Sequence, residues 1–145
     1  ELIFASAFYL VLDLEDQTAH YASAGHPSPL LVNRSAAKVE PLTPHLSNNP
    51  ALGLFAQSEY ETFKRTLHKQ DLFLLFTDGV FECCNNNGEE FSQERLQQLV
   101  EANQASDLHS LMAQIVSAIN AYTQPHGLDD DVCLVGVELF EPRRQ

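Results

Sequence analysis

The apolar positions of this chain change period along its length, and the changes predict its elements. Ala7 to Leu14 (AFYLVLDL) concentrates strand formers and ends in the polar Glu15-Asp16-Gln17, a strand followed by a turn. Thr18 to Ala24 (TAHYASA) reads as the returning strand of a hairpin. Gly25-His26-Pro27-Ser28-Pro29 breaks it, and Leu30 to Asn33 resumes an extended run after the prolines. Val39 to Leu42 predicts another short strand, Thr43 to Pro50 a loop, and Glu61 to Leu67 a strand with two basic residues on an exposed edge. Leu72-Phe73-Leu74-Leu75-Phe76 is apolar on both faces, which places Asp71 to Thr77 centrally in a sheet, with Asp78-Gly79 ending the strand.

Beyond the Asn85-Asn86-Asn87-Gly88 loop the period lengthens to that of a helix. Ser92 to Glu101 puts Leu96, Leu99 and Val100 on one face. Leu108, Leu111, Met112, Ile115, Val116 and Ile119 form a single apolar stripe, with Ser106 or Asp107 as the cap and Pro125 and Gly127 closing the helix. Val132 to Phe140 returns to strand. Several strands, two consecutive helices and a last strand predict an α+β fold rather than alternating βαβ units. The helices cover a sheet face with their stripes, and strands apolar on both faces need a second sheet as cover.

Composition narrows the function classes. The 145 residues suit one domain, 1–145, and 44% hydrophobic with 19% charged is a globular balance. No apolar run approaches the ~18 residues of a membrane span, so the protein is expected to be soluble with no membrane role, and its cysteines read as the reduced thiols of a cytoplasmic protein. The net charge of −12 and the lack of a basic stripe disfavour nucleic acid, and with it a nuclease. Cys83, Cys84 and Cys133 lack zinc-ligand or phosphatase-loop spacing; they read as reduced thiols, Cys133 as a small core residue. The chain begins at Glu1, and its single methionine is Met112, so it reads as part of a longer protein.

Three polar groups stand at the ends of apolar strands. Asp78 leaves the LFLLF strand beside Gly79, which lets the backbone turn sharply, and Glu82 follows four positions on. Asp129-Asp130-Asp131 directly precedes VCLVGVEL, and three adjacent carboxylates repel one another unless solvated or neutralised by a cation. Carboxylate oxygens are the donors that Mg²⁺ and Mn²⁺ prefer. Ala22-Ser23-Ala24-Gly25-His26-Pro27 combines small residues, which allow close backbone approach, with a histidine at a strand exit. Each has an ordinary structural explanation on its own: a turn, a solvated loop, a structural histidine.

In order they carry more. YASAGHPSPLL, Leu52-Gly53-Leu54, LFLLFTDGVFE and DDDVCLVGVEL resemble successive signature segments of the SpoIIE-like (RsbU-type) branch of the PPM/PP2C metal-dependent serine/threonine phosphatases, and AFYLVLDLEDQTAHYASAGH resembles the hairpin leading into that family's Ala-Gly-His. The resemblance covers roughly residues 4 to 140, the C-terminal portion of such a domain. It implies a PP2C-like α-β-β-α sandwich of two antiparallel sheets flanked by helices. It implies two divalent ions, Mn²⁺ or Mg²⁺, in a complete site. Asp78 and Asp130 match metal ligands, Glu82 a further, weaker metal position, Asp131 and Asp129 neighbouring carboxylates, and Gly25, His26 and Gly79 the structural part of the motifs.

The implied activity is hydrolysis of phosphoserine or phosphothreonine on a regulatory protein of the STAS (anti-sigma-factor-antagonist) type. Its setting would be bacterial signalling, downstream of a sensory or receiver domain. Two departures qualify it. Cys133 stands where Thr or Ser is usual, and nothing matches the family's earlier Gly-Asp-Val-x-Gly-His-Gly segment, for which Asp13 and Asp16 are poor substitutes. The chain alone is therefore expected to bind metal weakly and to be nearly inactive. A non-catalytic phosphatase-like binding or dimerisation module is the competing expectation, with two copies pairing along the strand near residues 4–13.

Overall fold

A computed structural model of the chain describes residues 3–42, 49–128 and 130–140. In chain order the elements are β1 (Ala7–Asp13), β2 (Thr18–Ala24), β3 (Leu30–Asn33), β4 (Lys38–Pro41), β5 (Phe63–Thr66), β6 (Asp71–Phe76), α1 (Gln93–Ala102), α2 (Leu108–Thr123) and β7 (Leu134–Glu138). They fall into two units, Glu1–Ser28 with Leu42–His68 and Pro29–Pro41 with Lys69–Gln145. Most of the loop expected over Thr43 to Pro50 lies outside the described residues. Among the described residues no helix is long and apolar enough to cross a membrane.

The first unit is an antiparallel sheet in the order β1-β2-β5. Its hairpin turn is set by Asp13, whose Oδ1 accepts the amides of Glu15 (3.0 Å) and Asp16 (2.9 Å). Phe8, Tyr21 and Phe63 stack across the three strands, with centroids 6.2 and 5.8 Å apart, and the Tyr21 hydroxyl donates to the Leu42 carbonyl at 3.3 Å. Both outer strands are edges. β5 carries Lys64 and Arg65, as expected for a protected edge, but is shorter than the Glu61–Leu67 reading.

The second unit pairs four antiparallel strands in the order β4-β3-β6-β7, so β6 is central as its apolar run predicts. Leu72, Leu74 and Phe76 join Leu30, Val32 and Val39 on one face and meet Leu96, Val100, Leu111, Ile115 and Ile119 of the helices in one buried cluster. Burying each such side chain stabilises the fold by about 1.5–3 kcal/mol. Leu31 and Phe73, on the opposite face of the same strands, are also fully buried.

Asp107, rather than Ser106, caps α2. Its Oδ1 accepts the Ser110 amide at 2.9 Å, and its Oδ2 the Ser110 hydroxyl at 2.6 Å, the bond chiefly responsible for holding this carboxyl below its usual range.

Three expectations are corrected. Val116 is 45% exposed, because the buried residues of α2 recur every fourth position (Leu111, Ile115, Ile119) and Val116 lies one step round the helix from that line. The last strand spans Leu134–Glu138 only. Cys133 is exposed ahead of that strand rather than a core residue: its neighbours Val132 and Leu134 pack against the core cluster, and the alternation of an extended chain turns Cys133 to the other side.

Ser92, the N-cap of α1, has φ 70° and ψ 152°, a region that only glycine occupies without strain. Its Oγ accepts the Arg95 amide at a long 3.4 Å. Relief of about 1–3 kcal/mol of strain exceeds the few tenths lost with the cap and the added chain entropy of glycine. Ser92→Gly is therefore expected to stabilise the chain by about 1 kcal/mol. An unchanged or lowered urea midpoint would refute this.

Candidate metal centre

The site is assembled where β6 ends and β7 begins. The last register pair is Phe76 with Leu134, and beyond it the chain turns at Asp78–Val80 into a single 3-10 turn. Val80 N–H donates to the Thr77 carbonyl at 3.1 Å, while the amides of Phe81 and Glu82 both donate to the Asp78 carbonyl at 2.9 Å. Glu82 follows just after this turn, its amide tied back to Asp78. Gly79 is buried in this turn because there is no room for anything larger. A Cβ built on it would lie 2.6 Å from the Asp131 carbonyl oxygen, 3.2 Å from its carbon and 3.6 Å from the Asp130 carbonyl carbon. The Asp78 turn and the Asp130–Asp131 peptide therefore touch backbone to backbone.

Both candidate ligands have the same local arrangement. Asp78 Oδ1 accepts the Gly79 amide at 3.1 Å, and Asp130 Oδ1 accepts the Asp131 amide at 2.7 Å. Each side chain is exposed, and among the described residues its second oxygen has no protein donor. Hard carboxylate oxygens on two segments whose backbones meet over a cradle that a Cβ would fill fit a divalent ion in donor type. They do not fit it in number. Among the described residues there is no group of three or more His, Cys, Asp and Glu side chains able to hold a metal, whereas Mg²⁺ takes about six ligands.

Of the other residues singled out from the sequence, Glu82 and Asp131 are exposed within the same unit, and Asp129 lies outside the described residues. Gly25 and His26 belong to the first unit. There His26 Nδ1 donates to the Pro27 carbonyl at 2.9 Å, its carbonyl accepts the Ser23 hydroxyl at 3.2 Å, and its ring lies 6.0 Å from Phe8. Because a carbonyl only accepts, this bond fixes the proton on Nδ1. Asp13 is engaged in the β1–β2 turn. Sequence reasoning placed Thr77 in the Thr77-Asp78-Gly79 segment without giving it a role; its hydroxyl bonds to both Asp131 and Cys133.

The profile of the stage II sporulation protein E (SpoIIE) family matches residues 1–140. Among curated relatives, phosphoserine phosphatase RsbU of Bacillus subtilis is 28% identical over 133 residues, which are 92% of this chain and 38% of RsbU. Phosphoserine phosphatase RsbP of the same organism is 25% identical over 138 residues, 94% of this chain and 31% of RsbP. The chain thus spans less than two fifths of the length of these relatives. Among solved structures, the RsbU and RsbW domains of a Mycobacterium tuberculosis protein superpose with a TM-score of 0.78 at 24% identity, covering 96% of this chain and 37% of that one. The Mn-presoaked phosphatase domain of SpoIIE from Bacillus subtilis superposes with a TM-score of 0.74 at 13% identity, covering 97% and 59%. Two antiparallel sheets with two helices are thus the part of the PP2C-type fold that this chain supplies. The chain belongs to the SpoIIE family, in the SpoIIE-like branch of the PPM/PP2C phosphatases.

Proposed function

We propose that this chain is the C-terminal part of a single metal-dependent phosphatase domain that hydrolyses phosphoserine or phosphothreonine on a STAS-type regulatory protein in bacterial signalling. The observation that carries the reading is the backbone contact of Gly79 with Asp131, which brings Asp78 and Asp130 to adjoining strand ends inside a family whose relatives include two named phosphoserine phosphatases.

Asp78 and Asp130 would hold a divalent ion, Mn²⁺ or Mg²⁺, with Glu82 and Asp131 as additional carboxylates. Such ions supply an acidified water and offset charge on the phosphoryl oxygens. The chain's own contribution is placement: Asp78 in the turn that leaves β6 and Asp130 in the segment that leads into β7, both exposed and each with one carboxylate oxygen accepting the next residue's amide.

Since two carboxylates fall well short of about six donors, the 145-residue chain is expected to bind Mn²⁺ only weakly. It should release phosphate from a phosphoserine protein slowly. A longer form carrying a Gly-Asp-x-x-Gly-His segment ahead of residue 1 should bind more tightly and turn over, and lose activity on chelation. Titration of Mn²⁺ into both forms, with phosphate release measured in parallel, tests this. Robust Mn²⁺-dependent turnover by residues 1–145 would sink the placement of the missing ligands elsewhere; turnover indifferent to chelator would sink the metal reading.

The shortage of donors among the described residues also favours a second reading, a phosphatase-shaped module that binds its regulatory partner without hydrolysis. Partner binding with no turnover in either form would select it.

A further inference from the structure

The β6–β7 ladder ends in an exchange of acceptors. Beyond the Phe76–Leu134 pair, the next residues are Thr77 and Cys133, and half of their pairing is conventional: Thr77 N–H donates to the Cys133 carbonyl at 3.1 Å. The return bond is not. Cys133 N–H donates at 3.0 Å to the Thr77 side-chain Oγ1, while the Thr77 carbonyl accepts Val80 N–H at 3.1 Å and so opens the 3-10 turn that presents Asp78. The hydroxyl has one proton and two lone pairs, and it uses the proton as well, donating to the Asp131 carbonyl at 3.2 Å. That carbonyl is the one resting on Gly79.

In a regular hydrogen-bonded antiparallel pair the Thr77 carbonyl would accept the Cys133 amide; here that carbonyl is directed into the turn, and the hydroxyl accepts the amide instead. We infer that Thr77 is a positioning residue: its hydroxyl stands in for its own carbonyl, so the main chain can turn at Asp78 while residues 131–133 stay docked and Asp130 stays beside Asp78. The metal half of this inference rests on the proposed function; the docking half does not.

The test uses the 145-residue chain, with Thr77→Val, which keeps the branched shape and removes the hydroxyl, and Thr77→Ser, which restores it. Amide exchange at Cys133 reads the docking directly. Its protection is expected to fall at least tenfold in Thr77→Val and to return in Thr77→Ser, with exchange in α2 unchanged as evidence that the unit remains folded. Paramagnetic broadening by millimolar Mn²⁺ reads the site, and broadening at Gly79 and Asp131 should weaken severalfold in Thr77→Val and recover in Thr77→Ser. Unchanged Cys133 protection in Thr77→Val would overturn the positioning role and leave the phosphatase reading intact. Lost protection with unchanged broadening would overturn its link to the metal. If the wild-type chain shows no broadening at all, the metal reading falls, and the docking role is then decided by exchange alone.

Discussion

Replacing Gly79 with alanine is expected to reduce Mn²⁺ affinity at least tenfold although every carboxylate is kept. The added methyl would lie 2.6 Å from the Asp131 carbonyl oxygen, closer than any real contact, and the obstructing atom is backbone rather than a flexible side-chain tip. Either the Asp78 turn or the 130–131 peptide must shift by several tenths of an ångström or more. Mg²⁺ takes oxygen donors only at about 2.0–2.1 Å, so the two proposed ligands on separating segments cannot both stay in range of such an ion.

Stability should fall as well, by about 1–3 kcal/mol, the usual cost of forcing an extra methyl into a packed position. Asp78→Asn gives the complementary case. It removes the charge of a proposed ligand from an exposed side chain, and its stability is expected to stay within about 0.5 kcal/mol of the wild type while Mn²⁺ binding is lost. The free-Mn²⁺ resonance signal at millimolar metal measures binding, and urea unfolding measures stability. If Gly79→Ala binds like the wild type, the closeness of the two segments is irrelevant to the ion. The site would then have to be drawn from other donors.

Much of this corner was legible in the sequence for local reasons. β6 is apolar at five consecutive positions, α2 repeats its apolar residues with a helical period, and Asp78 and Asp130 stand where an apolar run stops or is about to start. These features need no knowledge of what lies across the sheet. What could not be read depends on residues distant in sequence. Thr77 and Cys133 are 56 positions apart, and only the β6–β7 register makes them neighbours; without it, Cys133 reads as one more apolar strand residue rather than an exposed one. Gly79 announces a turn, but its contact with Asp131 is set by the same register.

Val116 was misplaced for a different reason. The apolar stripe on α2 is wider than the surface the helix buries, and periodicity gives the centre of a face more reliably than its rim. Ser92 opens the helical run in the sequence, yet neither its capping role nor its strained backbone angles are written in its identity. The donor count lies outside periodicity altogether, since ligands converge from separate segments and a strand pattern cannot say how many.

The second large effect is expected in the other unit, at Gly25, and a second glycine isolates its cause. Gly25 and Gly88 have nearly the same left-handed backbone, with φ of 65° and 76°. Around Gly88 nothing would meet a Cβ within 4 Å; at Gly25 the new atom would lie 2.8 Å from the Ala51 amide nitrogen and 2.9 Å from its α-carbon. Gly88→Ala should therefore cost only about 1 kcal/mol, the left-handed penalty of roughly 1–2 kcal/mol reduced by the lower entropy of the unfolded alanine chain. Gly25→Ala carries the same term and adds about 1–3 kcal/mol of overpacking against backbone, for a total of about 2–4 kcal/mol.

Relaxation at Gly25 is restricted. The Asn49 side chain, two residues before Ala51, donates to the Ser23 carbonyl at 3.1 Å, and Gly25 bridges to Ala7 of β1. Urea midpoints of the two variants, measured side by side, decide the matter. A gap of about 2 kcal/mol in favour of Gly88→Ala means that the Gly25-His26-Pro27 segment is glycine-bound because Ala51 passes directly over it. Equal losses would mean that Ala51 gives way, so that backbone angle alone demands glycine. In that case the close approach inferred from the small residues leading into His26 has no energetic weight.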